Sequence, residues 1–113
     1  MSTANNWLGE LNRVIDQRID DPNLDNLELA RSLSMSERQF IRKVKALTEL
    51  TPQKYVRRYR LQTARYYLEN GIHKTVKGAA AAVSYRSVSY FIAQFELEFN
   101  VRPLHILKKY GWR

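Results

Sequence analysis

Residues 33–52 read LSMSERQFIRKVKALTELTP, and residues 83–103 read VSYRSVSYFIAQFELEFNVRP. The two stretches share one scaffold. Leu33, Ser34 and Met35 match Val83, Ser84 and Tyr85 at an offset of 50. One extra residue then enters the second copy, after which Phe40, Val44, Leu50 and Pro52 match Phe91, Phe95, Val101 and Pro103 at an offset of 51. Ala30 and Ala80 match just upstream. The matched positions are apolar, small or proline, and the polar positions between them differ. Fixed apolar spacing with altered polar residues marks one structural unit used twice.

Working outward from the repeat, nearly every segment reads as helix, and no stretch alternates as a strand would. Trp7, Leu8, Leu11, Val14, Ile15 and Ile19 recur at helical spacing, and Asp20-Asp21-Pro22 ends that helix. A short helix over Asn26 to Ser32 follows, with Asp25 as its cap and Leu27, Ala30 and Leu33 expected to face inward. Ser34-Met35 reads as a tight turn. Ser36 caps a third helix, with Gln39 three residues later in capping-box spacing. Thr51-Pro52 starts a long helix, proline taking the first helical position. It runs to about Asn70, where Gly71 can close it, and spans about 28 Å. The second copy repeats the plan: a helix from about Thr75 to Val83, a turn at Ser84-Tyr85-Arg86, and a helix capped by Ser87 and running to Phe99. Asn100 suits a left-handed C-terminal position, and Pro103 opens a last helix ending near Lys109. The expected fold is all-α: seven helices in two helix-turn-helix subdomains, residues 5–50 and 72–113, joined by a long connector helix over 51–71.

The composition narrows the classes of function. The chain has 113 residues, no cysteine and 44% hydrophobic residues, enough for one domain or two very small subdomains. Without cysteine there is no disulfide framework and no Cys-based zinc site. No apolar run approaches the roughly 20 residues that span a bilayer, and MSTANNW lacks the apolar core of a signal peptide. A reducing, cytoplasmic compartment is expected, with no membrane partner. The net charge of +8 is unevenly placed. Residues 1–35 carry 3 basic and 6 acidic side chains, residues 36–70 carry 9 and 3, and residues 71–113 carry 7 and 2. Basic charge begins where the first copy of the repeat begins, which points to a polyanion such as nucleic acid.

Two candidate sites fall away. Asp21, Asn23 and Asp25 resemble the start of a calcium loop, but Asn26 stands where the loop needs glycine and Ser32 where it needs glutamate. They read as a helix stop and a cap. His73 and His105 have no metal-ligating neighbours at the right spacing. Nothing resembles a nucleophile with its base or a glycine-rich phosphate loop, so no enzyme and no cofactor is expected.

The helices after the two turns carry the chemistry. At about 100° per residue, Phe40, Val44 and Leu47 share a narrow arc. The opposite arc holds Arg38, Arg42 and Lys45, flanked by Ile41 on one side and by Gln39 and Ala46 on the other. One face packs while the other carries long donors able to bond guanine or adenine edges in a major groove, with Ile41 suited to a thymine methyl. In the second helix Phe91, Phe95 and Phe99 pack. The opposite arc offers Ser89, Tyr90, Ala93 and Glu96, with Arg86 and Ser87 at the start of the helix. From Ser87 to Phe99 there is no lysine or arginine. Its N-terminus can still hold a phosphate through backbone N–H groups. Symmetric repressors dimerise to place two reading helices one DNA turn apart; a chain with both units on board and a rigid connector can do so as a monomer. The competing expectation is a helical protein-interaction module that docks an acidic partner through this basic face.

LARSLSMSERQF, the connector VRRYRLQTARYYL and AAAAVSYRSVSYFIAQFELEFNVRP resemble the DNA-binding domain of AraC/XylS-family bacterial transcription regulators. The resemblance covers about Leu11 to Lys109. Its most specific part is Ser89-Tyr90-Phe91 followed by Phe95, Phe99 and Pro103. It implies a seven-helix, two-lobed domain whose recognition helices enter successive major grooves of double-stranded DNA to regulate transcription. By position, base contacts fall on Arg38, Ile41 and Arg42 in the first lobe and on Val88, Ser89, Tyr90 and Ala93 in the second, although the wheel turns Val88 inward. With the flanking polar residues, the candidate set is Ser36, Arg38, Gln39, Ile41, Arg42 and Lys45, then Arg86, Ser87, Val88, Ser89, Tyr90 and Ala93. Some positions depart from the family pattern. Ser84, Asn100 and Glu49 stand where glycines are common, Ile106 and Leu107 replace a tyrosine and an arginine, and Ala93 takes the place of a long polar reader. If Ser84 and Asn100 need positive φ, they cost local stability. The resemblance also implies an output domain carried by a larger regulator, such as a hybrid two-component sensor, with a stand-alone small regulator as the alternative, in the bacterial cytoplasm at the nucleoid. RNA polymerase is then the expected further partner of the full-length protein.

Overall fold

The computed structural model describes residues 3–112, with side chains from Asn6 onward. Among them are seven α-helices and no strand: α1 (Thr3–Gln17), α2 (Asn26–Ser32), α3 (Glu37–Thr48), α4 (Pro52–Glu69), α5 (Val76–Ala82), α6 (Val88–Phe99) and α7 (Pro103–Ile106). A π-helical turn, Leu107–Gly111, continues α7. The chain divides into two compact units between Arg57 and Arg58, within α4.

In the first unit Leu11 and Ile15 of α1, Leu29 and Ala30 of α2, and Phe40 and Val44 of α3 are buried. The Trp7 ring lies 6.1 Å from that of Phe40, and the Lys43 ammonium sits 5.0 Å from the Trp7 centroid. Arg18 ties the α1–α2 loop together by donating to both Asp21 and Glu28. The carboxylates of the supposed calcium loop do local work: Asp21 also accepts the Asn23 N–H, and Asp25 caps α2 by accepting the Glu28 N–H. One inward assignment is corrected. Leu29 is buried and Leu27 is 41% exposed. A helix of two turns with leucines at 27 and 29 can rotate either way on periodicity alone. Packing selects the arc of Leu29, Ala30 and Leu33, which lies off Leu27.

In the second unit Leu61, Ala64 and Leu68 of α4, Ala79 and Ala80 of α5, and Phe91 and Phe95 of α6 are buried. Phe91, Phe95 and Phe99 form an aromatic ladder with successive centroids 5.7 and 4.7 Å apart. Ile106 and Leu107 are buried, so the departure from tyrosine and arginine supplies core contacts. The last helix does not stop near Lys109. It widens into the π turn, because Gly111 packs so close to α4 that an added Cβ would lie 2.1 Å from the Leu68 carbonyl oxygen.

The turns preceding the two candidate reading helices share one backbone. Met35 N–H bonds Ala30 O and Ser34 N–H bonds Arg31 O; Tyr85 N–H bonds Ala80 O and Ser84 N–H bonds Ala81 O. This is the Schellman pattern, which needs a left-handed residue after the helix. Ser34 and Ser84 fill that role with φ of 58° and 73°. A left-handed residue also follows α3 and α6, where Glu49 and Asn100 have φ of 63° and 56° and close the simpler motif with single bonds from their N–H groups to Lys45 O and Glu96 O. The repeat therefore extends from apolar spacing to backbone conformation.

Candidate nucleic-acid interface

α3 begins with a complete capping box. Ser36 Oγ accepts the Gln39 N–H at 3.2 Å, and Gln39 Oε1 accepts the Ser36 N–H at 3.1 Å. Glu37 in the first turn and Lys45 in the last suit the helix dipole. Phe40 and Val44 are fully buried, which fixes the rotation of α3. The opposite face then presents Arg38, Gln39, Ile41, Arg42 and Lys45, all exposed, with Ile41 39% exposed. Among the described residues none of Arg38, Arg42 and Lys45 is held in an ion pair. Three long cations thus stand outward with their donors uncommitted. Gln39 is different. One lone pair of its carbonyl oxygen is engaged in the capping box, which ties that oxygen to the helix start, while its amide nitrogen is left to act outward. It can donate to a base or phosphate acceptor; the two-way bond to adenine uses both ends of the amide and would compete with the cap for the oxygen. Ser36 is likewise a cap first.

α6 is capped by Ser87, whose Oγ accepts the Tyr90 N–H at 3.1 Å. Phe91 and Phe95 fix its rotation as Phe40 and Val44 do in α3. Arg86, Ser87, Ser89, Tyr90 and Ala93 are exposed, Tyr90 to 50%. Val88 is half-buried, as the wheel expects. The same outer face ends on a residue that sequence reasoning omitted: Leu97, 76% exposed. Its position seven residues after Tyr90 is the signal the sequence offers, since that spacing puts both on one helix face. The two carboxylates of α6 are paired, Glu96 accepting from Arg102 Nε at 2.9 Å and Glu98 from Arg58 Nε at 2.8 Å.

The His73 ring packs tilted against that of Tyr67 with centroids 5.1 Å apart, and His105 is exposed. No helix of the described residues is long and apolar enough to cross a membrane.

Two helix–turn–helix units with outward cations on the second helix of one of them define the class of site, and comparison with known proteins identifies it. The profile of a helix-turn-helix domain family matches residues 29–109, most of the chain. The chain belongs to the AraC/XylS family of DNA-binding domains. It is 34% identical over 91 residues to the HTH-type transcriptional activator RhaS of Escherichia coli, a match covering 80% of this chain and 32% of RhaS. It is 26% identical over 100 residues to histidine kinase P4 of Formosa agariphila, covering 88% of this chain and 7% of the kinase. The chain thus spans a third or less of the length of these relatives. The fold is that of an AraC-type transcriptional regulator from Chromobacterium violaceum, with a TM-score of 0.83 at 24% identity, covering 93% of this chain and 92% of that one. It is thus a sequence-specific DNA-binding domain of the kind that transcription regulators carry.

Proposed function

We propose that this chain reads DNA as a monomer, with α3 and α6 each in a major groove and α4 as the connector between the two reading units. The observation that carries this is the outer face of α3. Arg38 and Arg42 stand exposed and unpaired, opposite a buried Phe40 and Val44, so they can bond base edges without disturbing the core. Each reading unit has its own turn, cap and core, which supports two half-sites from one chain. Docking of an acidic protein by the same face has only the charge in its favour. The chain does no chemistry of its own. In the longer proteins that carry such a domain it acts as an output module, a sensor of the histidine-kinase kind being one such carrier, and RNA polymerase is the further partner in the cytoplasm.

Selection from a random duplex pool, followed by footprinting, tests the reading. The expected result is an enriched motif with two half-sites about one helical turn apart, protected by a single copy of the chain. A footprint confined to one groove, or binding that requires two copies, would refute it.

A further inference from the structure

The outer faces of α3 and α6 can be compared position by position, because the repeat holds them in register at an offset of 51. Arg38, Gln39, Arg42 and Lys45 of α3 become Ser89, Tyr90, Ala93 and Glu96 in α6. Every cation is gone, and the tyrosine hydroxyl is the one long donor left at these four positions. The change runs the other way at the next position, where the small Ala46 becomes Leu97. Tyr90, Ala93 and Leu97 lie at i, i+3 and i+7, so they form one stripe along the exposed side of α6. Tyr90 is 50% and Leu97 76% exposed. A single exposed apolar side chain is ordinary, but here an aromatic ring and a methyl stand in place of Gln39 and Arg42, and the adjoining Ala46 is enlarged to leucine.

Resting on the reading above, we infer that α6 recognises its half-site through thymine methyl groups, with Leu97 as a specificity-determining residue. The C5-methyl of thymine is the one apolar feature of the major-groove floor. The stripe covers about 10.5 Å along the helix axis, the length of about three base pairs at 3.4 Å each. It is continuous with the start of the helix, where Arg86 is placed to meet phosphate and Ser89 to meet a base edge. The two carboxylates that would repel the DNA backbone are engaged by Arg102 and Arg58, which lowers the cost of bringing this helix close. An uncharged stripe bordered by neutralised carboxylates fits a groove floor carrying methyl groups better than one offering guanine acceptors.

Replacing thymidine by deoxyuridine tests this, since it removes the methyl and leaves pairing and charge intact. The selected operator is first divided into half-sites: the one in which Arg42→Ala relaxes base preference belongs to α3, the other to α6. Each thymidine of the α6 half-site is then replaced singly, with thymidines outside both half-sites as controls. The expected penalty is about fourfold in affinity for each methyl in contact, matching about 0.8 kcal/mol for a buried group of that size. Leu97→Ala should lower affinity for the natural operator to the level of one uracil duplex and abolish the penalty at that position alone. Its side chain is mostly in water, so circular dichroism and thermal unfolding should match the parent. The inference is overturned if the selected α6 half-site contains no A·T pair, if uracil there carries no penalty, or if Leu97→Ala leaves the penalty unchanged. In each of those cases a selected motif with an Arg42-dependent half-site still upholds the functional reading. A pool that yields no motif overturns both.

Discussion

Replacing Arg42 by alanine separates base reading from general attraction to DNA. Arg42 is exposed on α3 and makes no ion pair among the described residues, so its removal deprives no buried group of a partner. Stability should stay within about 0.5 kcal/mol of the parent. The effect is therefore expected almost wholly in recognition. A bidentate arginine–guanine pair contributes about 1–3 kcal/mol of discrimination, which is about 5- to 150-fold at 1.4 kcal/mol per tenfold. Arg42→Ala should collapse preference at one base pair of one half-site and leave the other half-site unchanged. Arg86→Ala is the contrast. Arg86 lies just before the Ser87 cap, at the start of a helix without other cations, where phosphate is the expected contact. Its loss should weaken all sequences alike and lower the salt slope by about one unit. The assay is affinity for a panel of single-base operator variants, repeated at several salt concentrations, for the parent and both mutants. If Arg86→Ala alters preference at one base pair while Arg42→Ala weakens every site equally, the two helices have been given each other's roles.

The left-handed residues after α3 and α6 should respond unequally to glycine. Left-handed backbone costs an ordinary side chain about 1–2 kcal/mol, and asparagine tolerates it better than glutamate. After the entropic cost of glycine, Glu49→Gly should gain about 0.5–1 kcal/mol in urea unfolding and Asn100→Gly close to nothing; equal gains would show that the strain is not where the backbone angles place it. Gly111→Ala should destabilise the second unit by about 1–3 kcal/mol, the range for overpacking, because its Cβ would meet the Leu68 carbonyl oxygen at 2.1 Å. A neutral thermal melt for that variant would mean the π turn is not held as described.

Most of this protein was legible along the chain because its signals are local or repeated. Helix starts at Asp25, Ser36 and Ser87 depend on side chains bonding backbone three residues away, so they can be read from spacing, and each cap is made as expected. The repeat states the turn, the serine cap and the apolar spacing twice, which makes the outward faces of α3 and α6 readable from the sequence. Arg38, Arg42 and Lys45 of α3 and Ser89, Tyr90 and Ala93 of α6 are exposed, whereas Glu96 is partly covered and paired with Arg102. Three features were decided only by tertiary packing. Leu29 displaced Leu27 from the core because a two-turn helix leaves its rotation to its neighbours. Gln39 is tied to the cap through its oxygen, which leaves its amide nitrogen as the outward end; spacing names the cap pair but not which end of the amide faces out. The closing π turn depends on Gly111 meeting Leu68, more than forty residues earlier in the chain. The sequence by itself determined helices, caps, turns and the chemistry of each outer face, since these depend on neighbours within about one helical turn. Tertiary structure decided which apolar side chains are spent on the core and which, like Leu97, are left at the surface, because burial depends on what the rest of the chain brings alongside.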